Sequence, residues 1–219
     1  ADEYLENDLL IEIKKKFLNL DKDISGITFR LREKFLGKFI RFGGRRNLRV
    51  LRLWKYGFGK IDERWMDESV YLYSGRIVNF NNNIVNDNSK DIDLYIGKHI
   101  KYATREAVDV IIQKYNLSNK RKKTKKIINF SSKLKLFLKE RVYNKLPYQL
   151  STSLYFTYRY FLLLGFLDGK IGFFYHFIQG YWYRVLVGAK INELQEKIAK
   201  FKSKKLIKKK IYLLTKYRI

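Results

Sequence analysis

The sequence predicts a mixed α/β part that is followed by a helical part rich in basic and aromatic residues. Polar and apolar residues alternate over much of positions 26 to 80, which is typical of strands with one buried face. Apolar residues recur at helical spacing on both sides of that stretch. Carboxylates cluster before Lys126, whereas no acid and ten Lys or Arg follow Glu196. The character of the chain therefore changes near Lys126.

The first predicted elements are a helix and a pair of strands. Apolar residues at helical spacing predict a helix over residues 6–19. Alternation over residues 26–44 predicts strands on either side of Gly37, and the pair Gly43-Gly44 marks a tight turn.

The remaining predicted elements are two strands and four helices. Strands are expected at 47–57 and 69–80, on either side of the acidic residues 61–69. One long helix is expected to start at Asp91. Three further helices are expected at 127–146, 151–166 and 171–202, after a basic segment at 119–126.

The composition limits the possible partners and cofactors. The 219 residues carry a formal charge of +26, which predicts an anionic partner such as nucleic acid, an acidic membrane or a phosphorylated substrate. The chain has no cysteine, which excludes disulfides and thiolate metal sites, and its two His argue against a zinc site. Charged and polar residues interrupt the most apolar stretch, 160–189, which therefore predicts helices that lie on a bilayer or pack together.

Carboxylates form two candidate sites. The acidic loop holds Asp62, Glu63, Asp67 and Glu68, which could include a general base or a metal ligand. Spacing alone favours a solvated loop with a local ion pair. Asp2, next to Glu3, could bind a divalent metal, or the two acids could simply favour the helix N-terminus that follows them.

The string LGFLDGKIGFF, residues 164–174, is similar to the LAGLIDADG signature of homing endonucleases. In that signature an acid at a helix end holds Mg²⁺ at the DNA cleavage site. Here Lys170 reverses the charge of the second acid position, and Ile171 adds a residue before Gly172. A degenerate nuclease or basic nucleic-acid-binding protein is therefore kept only as an alternative.

The basic, aromatic C-terminal third allows a nucleic-acid surface, a membrane-facing surface or an ordinary packed core. Its aromatic residues fall in dense runs such as FFYHF and GYWYR, which favours burial at an interface over separate stacking platforms.

Five segments, in order along the chain, resemble the second half of a family 2 bacterial glycosyltransferase with the GT-A fold, near the colanic-acid and lipopolysaccharide-core transferases. Ala1-Asp2-Glu3 resembles the end of the metal-binding D-A-D-E motif of that family. The other segments are FLGKFIRFGG (35–44), the strand and acidic loop at 48–69, the stretch at 86–109 that contains KHIKYATREA, and the RY…GFLDGKIGF region at 158–193.

The resemblance implies an inverting transfer of sugar from a nucleotide-sugar donor to a lipid-linked or polysaccharide acceptor. It implies a divalent metal, Mg²⁺ or Mn²⁺, with Asp2 as its protein ligand, and Glu68 as the catalytic base with Asp67 as second choice. Lys98, His99 and Arg105 would contact substrate phosphates, although a solvated helix face explains them equally well. Many relatives carry a His beside the base, whereas Asp67 and Ser69 flank Glu68 here.

The resemblance also implies an organisation and a location. Residues 1–118 would be the C-terminal part of a GT-A domain, 119–126 a basic linker, and 127–219 helices on an anionic membrane surface, with no nucleic-acid partner. The protein would be peripheral to the cytoplasmic face of the bacterial inner membrane. The chain would begin inside the metal motif, so we expect these residues alone to be an inactive fragment that binds no nucleotide.

Overall fold

The computed structural model describes residues 2–61, 70–89, 91–117 and 148–217. Contacts divide the chain into two compact units, Ala1–Tyr95 with Thr157–Phe177, and Ile96–Phe156 with Ile178–Ile219. The described residues confirm the mixed α/β class and contain a mixed sheet. The predicted linker 119–126 and the predicted helix 127–146 lie outside the described residues, and the predicted domain bounds stay predictions.

The first unit is built on a mixed sheet and a small hairpin. The sheet order is β1-β7-β2-β3, β4 also pairs with β2, and the hairpin pairs β5 with β6. β7 runs parallel to β2, and the other strand pairs are antiparallel. The strands are β1 (Glu3–Leu5), β2 (Ile24–Phe35), β3 (Lys38–Ile40), β4 (Arg49–Trp54), β5 (Gly59–Ile61), β6 (Val70–Leu72) and β7 (Arg76–Asn88).

One face of β2 forms the core of the first unit. Ile27, Phe29 and Leu31 are buried because alternate residues of a strand point to the same side. They pack with Leu9 of helix α1 (Asn7–Lys16) and with Phe80 of β7. The Phe29 and Phe80 rings meet edge to face at 5.8 Å, a favoured aromatic geometry.

A buried carboxylate ties α1 to β7. Both oxygens of Glu12 accept hydrogen bonds from the backbone N–H of Asn81, at 3.0 and 3.1 Å, and one also accepts from the N–H of Asn82 at 3.0 Å. Burial would raise the pKa of Glu12, but Lys16 and these N–H groups favour the charged form and lower it.

The described helices that follow the sheet range from 9 to 23 residues in length. They are α2 (Ile92–Lys114), α3 (Tyr148–Thr157), α4 (Gly169–Phe177), α5 (Tyr183–Ile198) and α6 (Lys204–Thr215). A π-helical turn, Tyr158–Leu162, continues α3, and a second, Ile178–Trp182, joins α4 to α5.

The second unit buries apolar residues of α2, α5 and α6 against one another. Ile111 of α2, Ile198 of α5 and Ile211 of α6 are all fully buried in one cluster. The lysine-rich α6 was not predicted, yet Ile207 and Ile211, one turn apart, give it an apolar side that packs into this cluster.

Several observed elements differ from the predicted ones. The predicted strand 69–80 is two strands, because the chain turns at Gly75 with a φ of +84°. The predicted helix 151–166 ends at Leu162, and Leu164 takes a left-handed conformation with a φ of 58°.

Among the described residues, no single helix is both long and apolar enough to cross a bilayer. The helical stretches Gln149–Leu162 and Gly165–Ile198, which meet at a bend of 68°, satisfy the length and composition criteria only when taken together.

Candidate functional site

The predicted metal ligand lies at the start of the edge strand β1. The carbonyl of Asp2 accepts a hydrogen bond from the N–H of Asp87 at 2.7 Å, and the residue is exposed. Its neighbour Glu3 forms a two-point ion pair with Arg52 of β4, at 2.9 and 2.7 Å. This pair raises the pKa of Arg52. Asp2 could supply one carboxylate to a metal, whereas Glu3 is already engaged by an arginine.

Further metal ligands are not assembled around Asp2 by the residues that the structure describes, since these include no group of three or more His, Asp or Glu that could hold a metal. The predicted bases Glu68 and Asp67 lie in 62–69, outside the described residues. The described residues on either side of them, Ile61 of β5 and Val70 of β6, pair with each other. The metal and base assignments stay predictions.

The three predicted phosphate-binding residues lie on α2, in the second unit. Lys98 is half-buried and Arg105 is exposed, with its Nε donating to the Tyr217 hydroxyl at 3.3 Å. His99 is buried, and its Nε2 lies 3.1 Å from the Gln179 amide nitrogen. The ring of His99 also meets Tyr183 edge to face at 5.5 Å. These surroundings suit a packing role for His99, while its predicted phosphate contact stays a prediction.

A group of polar contacts in the first unit joins residues 41–44 to residues 159–176, and we call it the turn anchor. The Asp168 carboxylate accepts hydrogen bonds from the N–H of Arg41, at 3.0 and 3.2 Å, and of Phe42, at 2.9 Å. Arg159 Nε donates to the Gly43 carbonyl at 3.0 Å. The Gly43 N–H donates to the Leu163 carbonyl at 2.9 Å. Segments more than a hundred positions apart are thus fixed together.

His176 and Asp168 leave no room for a side chain at three glycines of the turn anchor. A Cβ on Gly43 would lie 2.1 Å from Cε1 of His176, and a Cβ on Gly165 would lie 2.8 Å from Cδ2. A Cβ on Gly172 would lie 2.3 Å from the Cβ of Asp168. Close approach requires glycine at these positions, so Gly165 and Gly172 of the GFLDGKIG string have a packing explanation in this fold, while Gly169 has a φ of +67°.

Burial and neighbouring groups shift the pKa values of Asp168 and His176. Burial would raise the pKa of Asp168, but His176, with Nε2 at 3.7 Å, and the N–H groups of Arg41 and Phe42 lower it. Burial lowers the pKa of His176, and Asp168 only partly opposes this shift. A carboxylate used in this way to hold a backbone turn does not favour the nuclease alternative.

A second buried carboxylate lies on β2 in the same unit. Glu33 is buried on the apolar face of that strand and accepts a hydrogen bond from the Asn86 amide at 3.1 Å. Burial raises the pKa of Glu33, although Arg45, with Nη1 4.0 Å from the carboxylate, opposes the shift. The guanidinium of Arg45 also lies over the ring of Tyr175, 5.4 Å from its centre. These contacts attach the anchor to the sheet.

Comparison with known proteins gives no relative. No protein-family model, no curated protein and no solved structure matches the chain.

The sequence did not indicate that Arg159, Asp168 and His176 would act together on the turn at Gly43. Each segment was singled out on its own, but their contact is non-local. The available signal was the density of glycines, at 43, 44, 165, 169 and 172, together with Asp168 and His176 in the largely apolar residues 160–177.

Acidification is expected to destabilise the first unit through His176. Its pKa in the folded chain lies below the usual 6.5, so the unfolded chain takes up a proton at a higher pH than the folded chain. The free energy of unfolding should therefore fall as the pH drops from 6.5 toward the lowered pKa, and should not depend on His176 protonation above 6.5. Urea unfolding of wild type and H176Q on both sides of that pH measures the effect. Equal pH slopes in the two proteins would refute it.

Proposed function

We propose that this chain is part of an inverting family 2 glycosyltransferase, which moves a sugar from a nucleotide-sugar to a lipid-linked or polysaccharide acceptor. The single observation that supports this most is where the family-like segments meet. Glu3 of the first segment pairs in the sheet with Asn86 and binds Arg52, which belong to two other segments. Asp168 of the last segment binds the backbone at Arg41 and Phe42. Parts of all five segments thus lie in one compact unit.

The proposed chemistry divides roles among the residues of this unit. Asp2, on the edge of the sheet, would contribute a carboxylate to a divalent cation. A bound Mg²⁺ or Mn²⁺ supplies charge neutralisation for a nucleoside diphosphate leaving group. Glu68, or Asp67 in second place, would take the proton of the acceptor hydroxyl from the loop between β5 and β6. The pairing of Ile61 with Val70, on either side of these residues, supports this arrangement.

The proposed location is the cytoplasmic face of the bacterial inner membrane, where the protein would bind peripherally. The charge of +26 and the dense aromatic runs support an anionic membrane surface as partner. The same charge favours the second candidate, a basic nucleic-acid-binding protein. Tight, salt-sensitive binding to DNA without binding to anionic vesicles would favour that candidate.

Replacing the proposed catalytic base tests this function. In the protein as its source cells produce it, E68Q should lower the rate of sugar transfer by about 10²-fold or more. This is the factor that a general base contributes to a reaction rate. Transfer is measured as labelled sugar passed from nucleotide-sugars to lipid and polysaccharide fractions of the source cells.

The matched control is E63Q, which removes an acid from the same loop and should leave most of the rate. A variant D67N that loses more activity than E68Q would exchange the two assignments. Transfer that is insensitive to both E68Q and D67N, or no transfer from any nucleotide-sugar, would contradict the proposed function.

A further inference from the structure

Residues 158–177 of the first unit carry an unusually apolar exposed surface, which we call the apolar wedge. Within these residues, all of which the structure describes, Lys170 is the only exposed charged residue. Leu162 is 72% exposed, at the end of the π-helical turn, and Phe161 is 55% exposed beside it. The other exposed large apolar residues are Tyr158, Leu164, Phe166, Leu167, Phe173, Phe174 and Phe177. So dense a group marks a binding surface, since single exposed apolar residues are normal but contiguous ones are not.

The exposed side chains of the wedge cannot turn inward, because the turn anchor already occupies its buried side. Arg159, Tyr175 and His176 are buried, and the Asp168 side chain is 4% exposed. Asp168 is bonded to the backbone at Arg41 and Phe42. Arg159, Asp168 and His176 thus lie against the turn at residues 41–44, while most of the exposed side chains of the wedge are apolar.

Several backbone groups at the bend of the wedge are hydrogen-bonded, which favours its entry into a bilayer. The N–H of Leu163 donates to the carbonyl of Tyr158 at 2.9 Å, and that of Leu164 donates to Phe161 at 3.2 Å. The N–H of Leu167 donates to Leu164 at 3.0 Å, and the Leu163 carbonyl accepts from Gly43. These hydrogen bonds lower the cost of bringing the bend and its exposed leucines into an apolar phase.

Charge and composition around the wedge favour a lipid over a protein as the occupant. Two exposed basic residues of the same unit lie near it. Lys38 is on β3, a strand that contacts α4, and Arg41 is in the turn anchor. The helical stretches that contain the wedge also meet, together, the composition of a bent membrane segment. Basic residues around an apolar, aromatic tip are what an anionic interface binds.

We propose that the apolar wedge inserts into the boundary between headgroups and acyl chains in one leaflet of an anionic bilayer. Leu162 and Leu167 enter the acyl region, and Lys38, Arg41 and Lys170 meet lipid phosphates. The wedge does not cross the membrane. This inference refines the membrane location in the proposed function, but vesicle binding requires no sugar transfer, so the two proposals can fail separately.

The test is co-sedimentation of the 219-residue chain with vesicles of equal phosphatidylethanolamine and phosphatidylglycerol. The variant F161S/L162S/L167S should lower the partition coefficient at least about tenfold, because three large apolar side chains lose their lipid contacts. The matched control is L10S/F17S/L18S, which removes one Phe and two Leu that are also exposed in the first unit. It should bind almost as wild type does.

The folded state of each variant is checked by circular dichroism and urea unfolding, since all six positions are exposed and should tolerate serine. Equal losses of binding in the two triple variants would overturn the proposal, as would undiminished binding of F161S/L162S/L167S. Binding that salt abolishes completely in wild type would also overturn it, because insertion must leave a salt-resistant part. Loss of self-association, with no change in vesicle binding, would identify a second copy of the chain as the occupant.

Discussion

Replacing Asp168 with asparagine is expected to destabilise the first unit by about 3 kcal/mol, the range for losing charged hydrogen bonds at a buried site. The Asp168 carboxylate accepts from two successive backbone N–H groups, those of Arg41 and Phe42. An asparagine of the same shape offers one oxygen, and its NH₂ group would face one of these donors. His176, at 3.7 Å from the carboxylate, would also lose its negative neighbour. Urea unfolding measures the change.

The matched control for D168N is D21N. Asp21 is 71% exposed and pairs with Arg76, which also keeps a pair with Asp23. Surface pairs of this kind contribute about 0–1 kcal/mol, so D21N should change the free energy of unfolding little. Equal effects of D168N and D21N would mean that the anchor does not hold the turn at residues 41–44.

Replacing Gly43 with alanine is expected to have a comparable effect, about 2–4 kcal/mol, from strain and overpacking together. Gly43 has a φ of +65°, which disfavours any side chain, and the new methyl would lie 2.1 Å from Cε1 of His176. The ring cannot easily move away, because His176 is fully buried. Thermal and urea unfolding of G43A measure the combined cost.

Two other glycines separate strain from collision. Gly57 has a φ of +79° with no atom within 4 Å of the position that a methyl group would take, so G57A should show backbone strain alone, about 1 kcal/mol. Gly97 lies in α2 with open space and no positive φ, so G97A should be neutral or stabilising. In an H176A background the cost of G43A should fall to that of G57A. If it does not fall, the collision with His176 is not the cause.

Local sequence patterns correctly predicted a helix, two strands and a turn in the first unit. The spacing of apolar residues gave α1, the alternation around Gly37 gave β2 and β3, and Gly43-Gly44 gave the turn. These predictions are confirmed because helix period, strand period and glycine conformation act within a few residues.

The contacts that the sequence did not predict are non-local. Nothing within residues 69–80 shows that β6 pairs with β5 while β7 pairs in parallel with β2. The role of Asp168 depends on backbone groups 126 and 127 positions away. Helix α6 was not predicted, although Ile207 and Ile211 lie one turn apart in the sequence. Strand pairing and contacts between distant segments are decided by packing across the whole fold.

The most direct test of the central claim is the anomeric configuration of the sugar in the transfer product, determined by NMR after incubation with labelled nucleotide-sugars and source-cell lipid or polysaccharide. The protein as its source cells produce it should transfer the sugar with a configuration opposite to that in the donor. The E68Q variant should form almost no transfer product. A product that retains the donor configuration, or no product from any donor, would contradict an inverting glycosyltransferase.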